Sequence, residues 1–390
     1  MRRAVVTGIG AVTPLGNSFA ESWQALLQGR SGIGPVTRFD PADMPWRRAG
    51  ELRDFRADTF VTAKDVLRLD PFVHYAAAAA GMAAGDSGLG GPALEAAAVL
   101  MGSSRGGIGS LSAAVLSRAT AFLMAGTTVS MAASCVSKLL GAKGPVLGIS
   151  NACASGANAV GEALRLIRGG QADVVLAGGA EAPLAPVSFE GYGAAGALSR
   201  EGVMRPFDRR RDGFVLSEGA AVLVLEEHIA ALKRGARIYG EVLGYGNTSD
   251  AFHMTVPDPE SQARAMRAAL HDAGLGEEAV GYINAHATAT PLGDRTEAES
   301  IARVFGPSVA VSATKSMTGH MLGASGAFEA AVALMCVHSG KIPPTANLGE
   351  TDCDLGHVRQ ARRESIGAAL SNSFGFGGVN AVLVLGKAPG

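Results

Sequence analysis

The sequence predicts an α/β fold assembled from two related halves, and three observations carry that prediction. Short apolar runs bounded by Gly alternate with stretches of helical periodicity along the whole chain. A local pattern, Ala154-Ser155-Gly156-Ala157, recurs as Ala324-Ser325-Gly326-Ala327. In both copies an Ala-Leu pair and then a Gly follow at the same spacing (Ala163-Leu164 and Gly170; Ala333-Leu334 and Gly340), every match being offset by 170 residues. Glycine fills 53 of 390 positions, about twice the usual share of roughly 7%, which calls for tight turns and close backbone approaches.

The elements follow in order. Ala4-Val5-Val6-Thr7 reads as a buried strand and Gly8-Ile9-Gly10 as a turn. Ser18-Phe19-Ala20-Glu21 is a capping box opening a helix whose apolar face is Phe19, Trp23, Leu26 and Leu27, and Gly29 ends it. Further strands are expected near Val99 to Met101, Val146 to Ile149, Val174 to Leu176, Val222 to Leu225, Tyr282-Ile283, Val309 to Val311 and Ala381 to Leu385. A helix with Ala157, Val160, Leu164 and Ile167 on one face follows Cys153. The least structured stretch runs from Gly246 to Pro259, before a helical pattern over Ala263 to Ala273. The expected division is therefore 1–248 and 249–390.

Composition excludes several classes. With 47% hydrophobic and 18% charged residues, the chain has the apolar mass to fold, unlike disordered sequences. A net charge of -1 predicts no nucleic-acid or anionic-membrane partner, so any acidic partner must meet a local patch. The four cysteines, Cys135, Cys153, Cys336 and Cys353, show neither CxxC spacing nor the density of a disulfide scaffold. A reducing, cytoplasmic setting is expected.

Cys153 stands apart from the other three. It lies between an apolar strand and a helix start, where free backbone N–H groups and the positive helix end are expected to favour the thiolate. His286, in Asn284-Ala285-His286-Ala287-Thr288-Ala289-Thr290, and His320, in Thr318-Gly319-His320, both follow strands and sit among small residues and hydroxyls. Open α/β sheets place ligands beyond such strand ends. Cys135, Cys336 and Cys353 have no comparable setting and read as structural.

These motifs carry a family resemblance. The segments around Cys153 (Asn-Ala-Cys-Ala-Ser-Gly), around His286 (through Thr-Pro-Leu-Gly-Asp) and around His320 (Thr-Lys-Ser-Met-Thr-Gly-His-Met-Leu-Gly-Ala-Ser-Gly) resemble the β-ketoacyl-acyl carrier protein synthases, closest to the synthase II branch. The segment Asn372-Ser373-Phe374-Gly375-Phe376-Gly377-Gly378-Val379-Asn380 fits the same family. Arg205-Pro206-Phe207-Asp208 and the stretch from Asp250 to Thr255 extend the likeness over nearly the whole chain. The resemblance implies the thiolase fold, a duplicated five-layered α/β/α/β/α architecture, usually as a homodimer; pairing with a non-identical chain is the alternative.

It also implies roles. Cys153 takes an acyl group from acyl carrier protein, malonyl-carrier protein loses CO₂, and the resulting carbanion attacks the acyl-cysteine. His286 and His320 donate to the thioester oxygen, Lys315 supplies positive charge, and Glu329 anchors the network. Backbone N–H groups of Cys153 and Phe376 form the oxyanion hole, and Phe374 belongs to the same Gly-rich loop. Thr288 and Thr290 meet the phosphopantetheine arm, which arrives on the carrier protein, so no cofactor is required. Lys64, Arg68 and Arg205 dock the carrier protein. Asn284, Glu329, Ser371 and Asn372 match a structural monovalent-cation site.

The chain departs from the family at several points. Arg105 stands where relatives usually place an apolar residue at the mouth of the acyl pocket. It is expected either to shift choice toward short or polar acyl groups or to fold back onto a carboxylate across a dimer. The stretch from Ile108 to Ser134 is shortened, and Ala154, Ala287 and Val379 replace residues more often Thr, Gly and Thr. Competing readings are weaker. Thiolases need a second Cys in the C-terminal Gly-rich loop, and the synthase III branch has Asn where this chain offers His320. A chain-length partner subunit usually lacks the nucleophile, and Gly8-Ile9-Gly10 lacks the third Gly of a dinucleotide fingerprint. Polyketide or specialised-lipid synthesis is the alternative pathway.

Overall fold

The computed structural model describes residues 2–117 and 119–389. Arg118, within the shortened stretch, lies outside them. Ten principal strands form two five-stranded units. The first comprises β1 (Ala4–Val12), β2 (Ala98–Gly102), β3 (Val146–Ile149), β4 (Val174–Glu181) and β5 (Gly219–Glu227). The second comprises β6 (Gly240–Ser249), β7 (Val280–Asn284), β8 (Ala310–Ser312), β9 (Ala368–Gly375) and β10 (Val379–Gly386).

The units repeat each other strand for strand. Their orders are β3-β2-β4-β5-β1 and β8-β7-β9-β10-β6. In each, the first three strands are parallel and the last two antiparallel. The expected duplication is therefore a duplication of topology. β1 and β6 join the units through only three residue pairs, Ala4 to Val242, Val5 to Glu241 and Val6 to Gly240.

Two central helices, α6 (Ser155–Arg168) and α10 (Ser325–Ser339), are the repeats seen in the sequence. Both contact strands of both units. Outside the first unit lie α2 (Pro71–Ser87) on β1 and β5, and α5 (Met131–Leu140) on β2 and β3. Outside the second lies α8 (Pro259–Ala273) on β6 and β10, with α9 (Pro291–Phe305) against it. The layers are thus helix, sheet, helix, sheet, helix.

Local chemistry explains the elements. Helix α1 (Phe19–Leu27) starts at its predicted box: Glu21 N–H donates to Ser18 Oγ at 3.1 Å, while the Glu21 carboxylate accepts from Asn17 N–H at 2.8 Å, one residue before the Ser18 N–H of a regular box. The described residues between 108 and 134 include α3 (Ile108–Leu116), α4 (Leu123–Thr127) and the start of α5. The central helix α10 is apolar all round because sheets cover both its sides. Leu322–Ser339 is, among the described residues, the one helical stretch long and apolar enough to cross a membrane, and it is mostly buried in the core.

One expectation needs correction. The segment from Gly246 was expected to be irregular, but β6 runs on to Ser249, paired with β10 as far as Ser249 with Val379. The division between 248 and 249 consequently falls inside a strand, and the second topological unit begins at Gly240. Gly and Asn in Tyr245-Gly246-Asn247 hid the strand. A Cβ at Gly246 would lie 2.1 Å from the Ala265 carbonyl oxygen, so close helix contact, rather than a turn, demands glycine there.

The same demand governs the central helices. A Cβ at Gly326 would meet the Ala157 nitrogen and Ser373 Oγ at 2.8 Å, and one at Gly156 would meet the Gly323 carbonyl oxygen at 2.5 Å. Gly326→Ala should lower stability by about 1–3 kcal/mol through overpacking. Gly85→Ala, late in α2 where the added methyl meets open space, should raise it by up to about 1 kcal/mol. Urea midpoints of the two variants, equal within error, would contradict this packing account.

Candidate active site

The two units deliver their reactive groups to one cavity of about 340 Å³. Cys153 enters from the turn between β3 and α6. In that turn Ala152 has a left-handed φ of 48°, held by Ser155, whose Oγ accepts from Asn151 N–H at 2.9 Å and donates to the Ala152 carbonyl at 2.6 Å. His286 follows β7, and His320 stands between the short helix Lys315–Thr318 and α10. All three are buried.

The geometry orders them. His320 Nε2 lies 3.0 Å from Cys153 Sγ, and its Nδ1 lies 3.2 Å from Ser325 Oγ. The two imidazole rings stand edge to face at 5.4 Å. Lys315 Nζ reaches both oxygens of Glu329 at 2.7 Å and His286 Nδ1 at 3.3 Å. Because an ammonium can only donate, His286 Nδ1 accepts and its proton resides on Nε2.

Burial sets the charges. It lowers both histidines well below their ordinary range, and Lys315 lowers them further, so both imidazoles are neutral. Burial likewise lifts the Glu329 carboxyl to about 7, with Lys315 pulling the other way. The Cys153 thiol is pushed up to about 11 by burial, against Lys315, Arg105 and the Phe376 N–H. This corrects the expected thiolate: the helix start does not outweigh desolvation in a dry pocket, and the thiol retains its proton until a base accepts it. His320 Nε2 is placed for that.

The second wall comes from the C-terminal unit. Thr288 and Thr290 line the cavity with their hydroxyls 3.2 Å apart, and Phe374 packs its ring 5.9 Å from His286. Phe376 tips the β9–β10 turn, with its N–H directed to Cys153. Gly377 and Gly378 take φ of 91° and 72° there, conformations glycine adopts without strain. Gly377 N–H donates to the Met254 carbonyl at 2.7 Å, tying this turn to the segment after β6.

Glu297, which was not singled out from sequence, holds the His286 turn. Its carboxylate accepts from the backbone N–H of His286 at 2.8 Å and of Ala287 at 2.7 Å, and from Asn372 Nδ2 at 3.0 Å. The turn needs this support because Ala287 and Ala289 have φ of 21° and 61°, where a Cβ is disfavoured. An acidic residue one helical turn after Gly293-Asp294 was the available signal.

Other expected residues are distributed differently. Arg105 Nε donates to the Oη of Tyr192, in α7 (Pro186–Ala194), at 2.8 Å within the same chain. Lys64 is exposed on the short helix Ala63–Val66, and Arg68 stacks over Phe122 at 4.1 Å. Arg205 is paired with Glu201 at 2.5 Å and largely covered, which leaves it little free charge to offer. None of these four lines the cavity. The amide of Asn284, Ser371 Oγ and Asn372 Oδ1 are buried without partners among the described residues, next to one another along β7 and β9. Both oxygens of Glu329 are engaged by Lys315.

Comparison with known proteins agrees with this arrangement. Residues 1–231 match the family model "Beta-ketoacyl synthase, N-terminal domain", and residues 239–349 match "Beta-ketoacyl synthase, C-terminal domain". The chain is 45% identical to a 3-oxoacyl-[acyl-carrier-protein] synthase 2 of Synechocystis sp., over 99% of this chain and 98% of that protein. Its fold is similar to the ishigamide ketosynthase/chain length factor, with a TM-score of 0.94 and 36% identity over the whole of both chains. It also resembles a type II polyketide synthase ketosynthase in complex with its acyl-carrier protein and bound to the hexaketide (TM-score 0.89, 31% identity, full coverage of both chains). With a paired topology, a Cys-His-His cavity and matches across both halves, the chain belongs to the β-ketoacyl synthase family.

Proposed function

We propose that the protein joins an acyl group to a malonyl unit carried on acyl carrier protein, giving 3-oxoacyl-acyl carrier protein and CO₂ in fatty acid biosynthesis. The observation that carries this reading is Cys153 Sγ, 3.0 Å from His320 Nε2, in one cavity with His286. The 45% identity to a 3-oxoacyl-[acyl-carrier-protein] synthase 2 over nearly the whole chain supports it.

The residues divide the work. The Cys153 S–H gives its proton to His320 as sulfur attacks the acyl thioester, and the proton passes to the departing pantetheine thiol. One thioester replaces another, so the acyl group keeps its reactivity. The malonyl C–C bond then breaks, the carboxylate departs as CO₂, and the electron pair of that bond stays with the thioester as an enolate. His286 Nε2–H, fixed by Lys315, donates to the enolate oxygen, joined by His320 once its Nε2 has taken a proton from solvent. The enolate carbon bonds to the acyl carbon, whose oxygen is held by the N–H groups of Cys153 and Phe376. Collapse expels the Cys153 sulfur, which takes the proton held on His320 Nε2. Thr288 and Thr290 hold the phosphopantetheine arm, with Phe374 on the opposite side. The cleavage of CO₂ makes the carbanion, so the chemistry needs no cofactor.

Partners follow from the surface. β3 lies at a sheet edge among the described residues, and its Val146 and Leu147 are exposed with Leu139 beside it. An unpaired apolar edge suits a second copy of the chain, which supports a homodimer; a related, non-identical chain would use the same edge. Lys64 and Arg68, with a lesser part for Arg205, offer charge to the acidic carrier protein. The Asn284, Ser371 and Asn372 oxygens, unpartnered among the described residues, suit a structural monovalent cation with hard oxygen ligands, with Glu329 as the fourth expected member. Four free, buried cysteines support a cytoplasmic site of action.

Purified protein given malonyl-carrier protein and an acyl primer should gain the acyl mass at Cys153 and form the 3-oxoacyl product, with none from Cys153→Ala. Absence of acylation and of CO₂ release would overturn the assignment. His286→Ala should slow CO₂ release by about 10²–10³ while acylation of Cys153 changes far less; equal losses in both steps would remove His286 from the carbanion step. Because burial raises the thiol to about 11, the rate of Cys153 alkylation by iodoacetamide should keep climbing about tenfold per pH unit past pH 9. A plateau near pH 8.5 would show an unshifted thiol.

A further inference from the structure

Cys153, His286 and His320 form a set of metal ligands as well as a reactive cluster. Each offers one donor atom, and the three donors all lie within 4.8 Å of one another. Sulfur and two imidazole nitrogens suit Zn²⁺ and related divalent ions, and a tetrahedral ion with bonds of about 2.0–2.3 Å needs its donors roughly 3–4 Å apart. Cys153 Sγ and His320 Nε2, at 3.0 Å, are already that close. The cavity that all three residues line leaves a fourth position open, the plan of a zinc site that keeps a place for water or substrate. Both imidazoles are neutral, which is the form that binds metals.

One neighbour spoils the set. Lys315 Nζ donates to His286 Nδ1 at 3.3 Å, so the lone pair of that ring is taken and the cavity meets an N–H at Nε2. To ligate through Nε2, His286 would have to move its proton to Nδ1, against a group that itself only donates. Metal-bound histidines show the reverse arrangement, the second ring nitrogen donating to a carboxylate, a carbonyl or water. Lys315 is not free to turn away, being fully buried and held at 2.7 Å by both oxygens of Glu329. His320 differs: its Nδ1 lies 3.2 Å from Ser325 Oγ, a hydroxyl able to accept. Charge acts in the same sense as geometry. Lys315 disfavours a proton on either imidazole, and a dication bound there meets the same repulsion with twice the charge. At the sulfur Lys315 favours the thiolate, the form that binds metals, so exclusion has to work through the rings.

We infer that Lys315, by keeping a donor against His286 Nδ1, prevents the Cys153, His286 and His320 cluster from closing on a divalent metal ion such as Zn²⁺. What this protects rests on the functional reading above, in which the sulfur must be free to take an acyl group; a sulfur bound to zinc is not. Donors brought together for proton transfer between sulfur and imidazole are also donors brought together for a metal. A buried ammonium bonded to one of the rings separates the two uses.

The test uses the full-length protein with Zn²⁺ and Co²⁺ salts as probes and no carrier protein. Binding is read from protection of Cys153 against iodoacetamide, followed by intact mass, and from the thiolate-to-cobalt charge-transfer band. Lys315→Met keeps the length of the side chain and removes the donor. Combining it with Glu329→Gln also removes the carboxylate that the first change leaves unpaired. Both variants should bind the ion about tenfold or more tighter than the wild type. Adding Cys153→Ala to the double variant should abolish the band, and adding His286→Ala should weaken binding about tenfold or more. Protection is a ratio with and without metal in one preparation, so loss of folded protein cancels. Equal affinity in the wild type and both variants, whether tight or absent, overturns the inference, as does binding that survives His286→Ala undiminished. Tight binding in Lys315→Met that vanishes when Glu329→Gln is added assigns the ion to the freed carboxylate and overturns it too. No acyl group enters this assay, so its failure leaves the condensation reading standing, and failure of carrier thioesters to acylate Cys153 leaves the metal result standing.

Discussion

Two helices approach to backbone contact only where neither interposes a side chain, and that closeness between α6 and α10 organises the site. Gly156 lies against Gly323, and Gly326 against Ala157. At this crossing the start of each helix is brought to the other. Cys153 precedes the first helix and His320 precedes the second, so a contact required by packing also brings sulfur and imidazole to 3.0 Å. Each unit alone holds part of the machinery, the sulfur in one and the imidazoles with Lys315 in the other.

Dryness is the second constraint. Lys315, Glu329, Glu297, His286 and His320 are all buried, and a charge in such a place persists only where a partner meets it. Lys315 is met twice, by Glu329 and by His286, and the second contact fixes a proton on the outward nitrogen of the ring. Loss of water is the largest cause of both the neutral histidines and the protonated thiol; Lys315 adds to it at the imidazoles and offsets it only in part at the sulfur. Proton movement between them is consequently local.

Much of this was legible in the residues. Strand and helix alternation, the capping box at Ser18 and the 170-residue repeat were visible because each is a local or self-similar pattern. The positions of Cys153, His286 and His320 at strand ends were visible too. The thiol's protonation was not, because helix-end electrostatics is local while burial is a property of the assembled core. β6 was misjudged where Gly246 answers a helix pressed against it, a contact absent from sequence. Glu297 escaped notice since its partners are backbone N–H groups, which leave no mark on residue identity. The bond from Arg105 to Tyr192 joins positions 87 apart, beyond any local pattern.

Three of the four alanines with left-handed backbone, Ala152, Ala287 and Ala289, bear on how sharply the site is defined. Glycine relieves the cost of roughly 1–2 kcal/mol per residue but samples far more of conformational space. A methyl group at each of these positions narrows what the unfolded chain and the folded turn can explore. The donors of His286 and the sulfur of Cys153 are therefore aimed by turns with few alternative shapes, and the entropy of arranging them is spent when the chain folds instead of at each turnover.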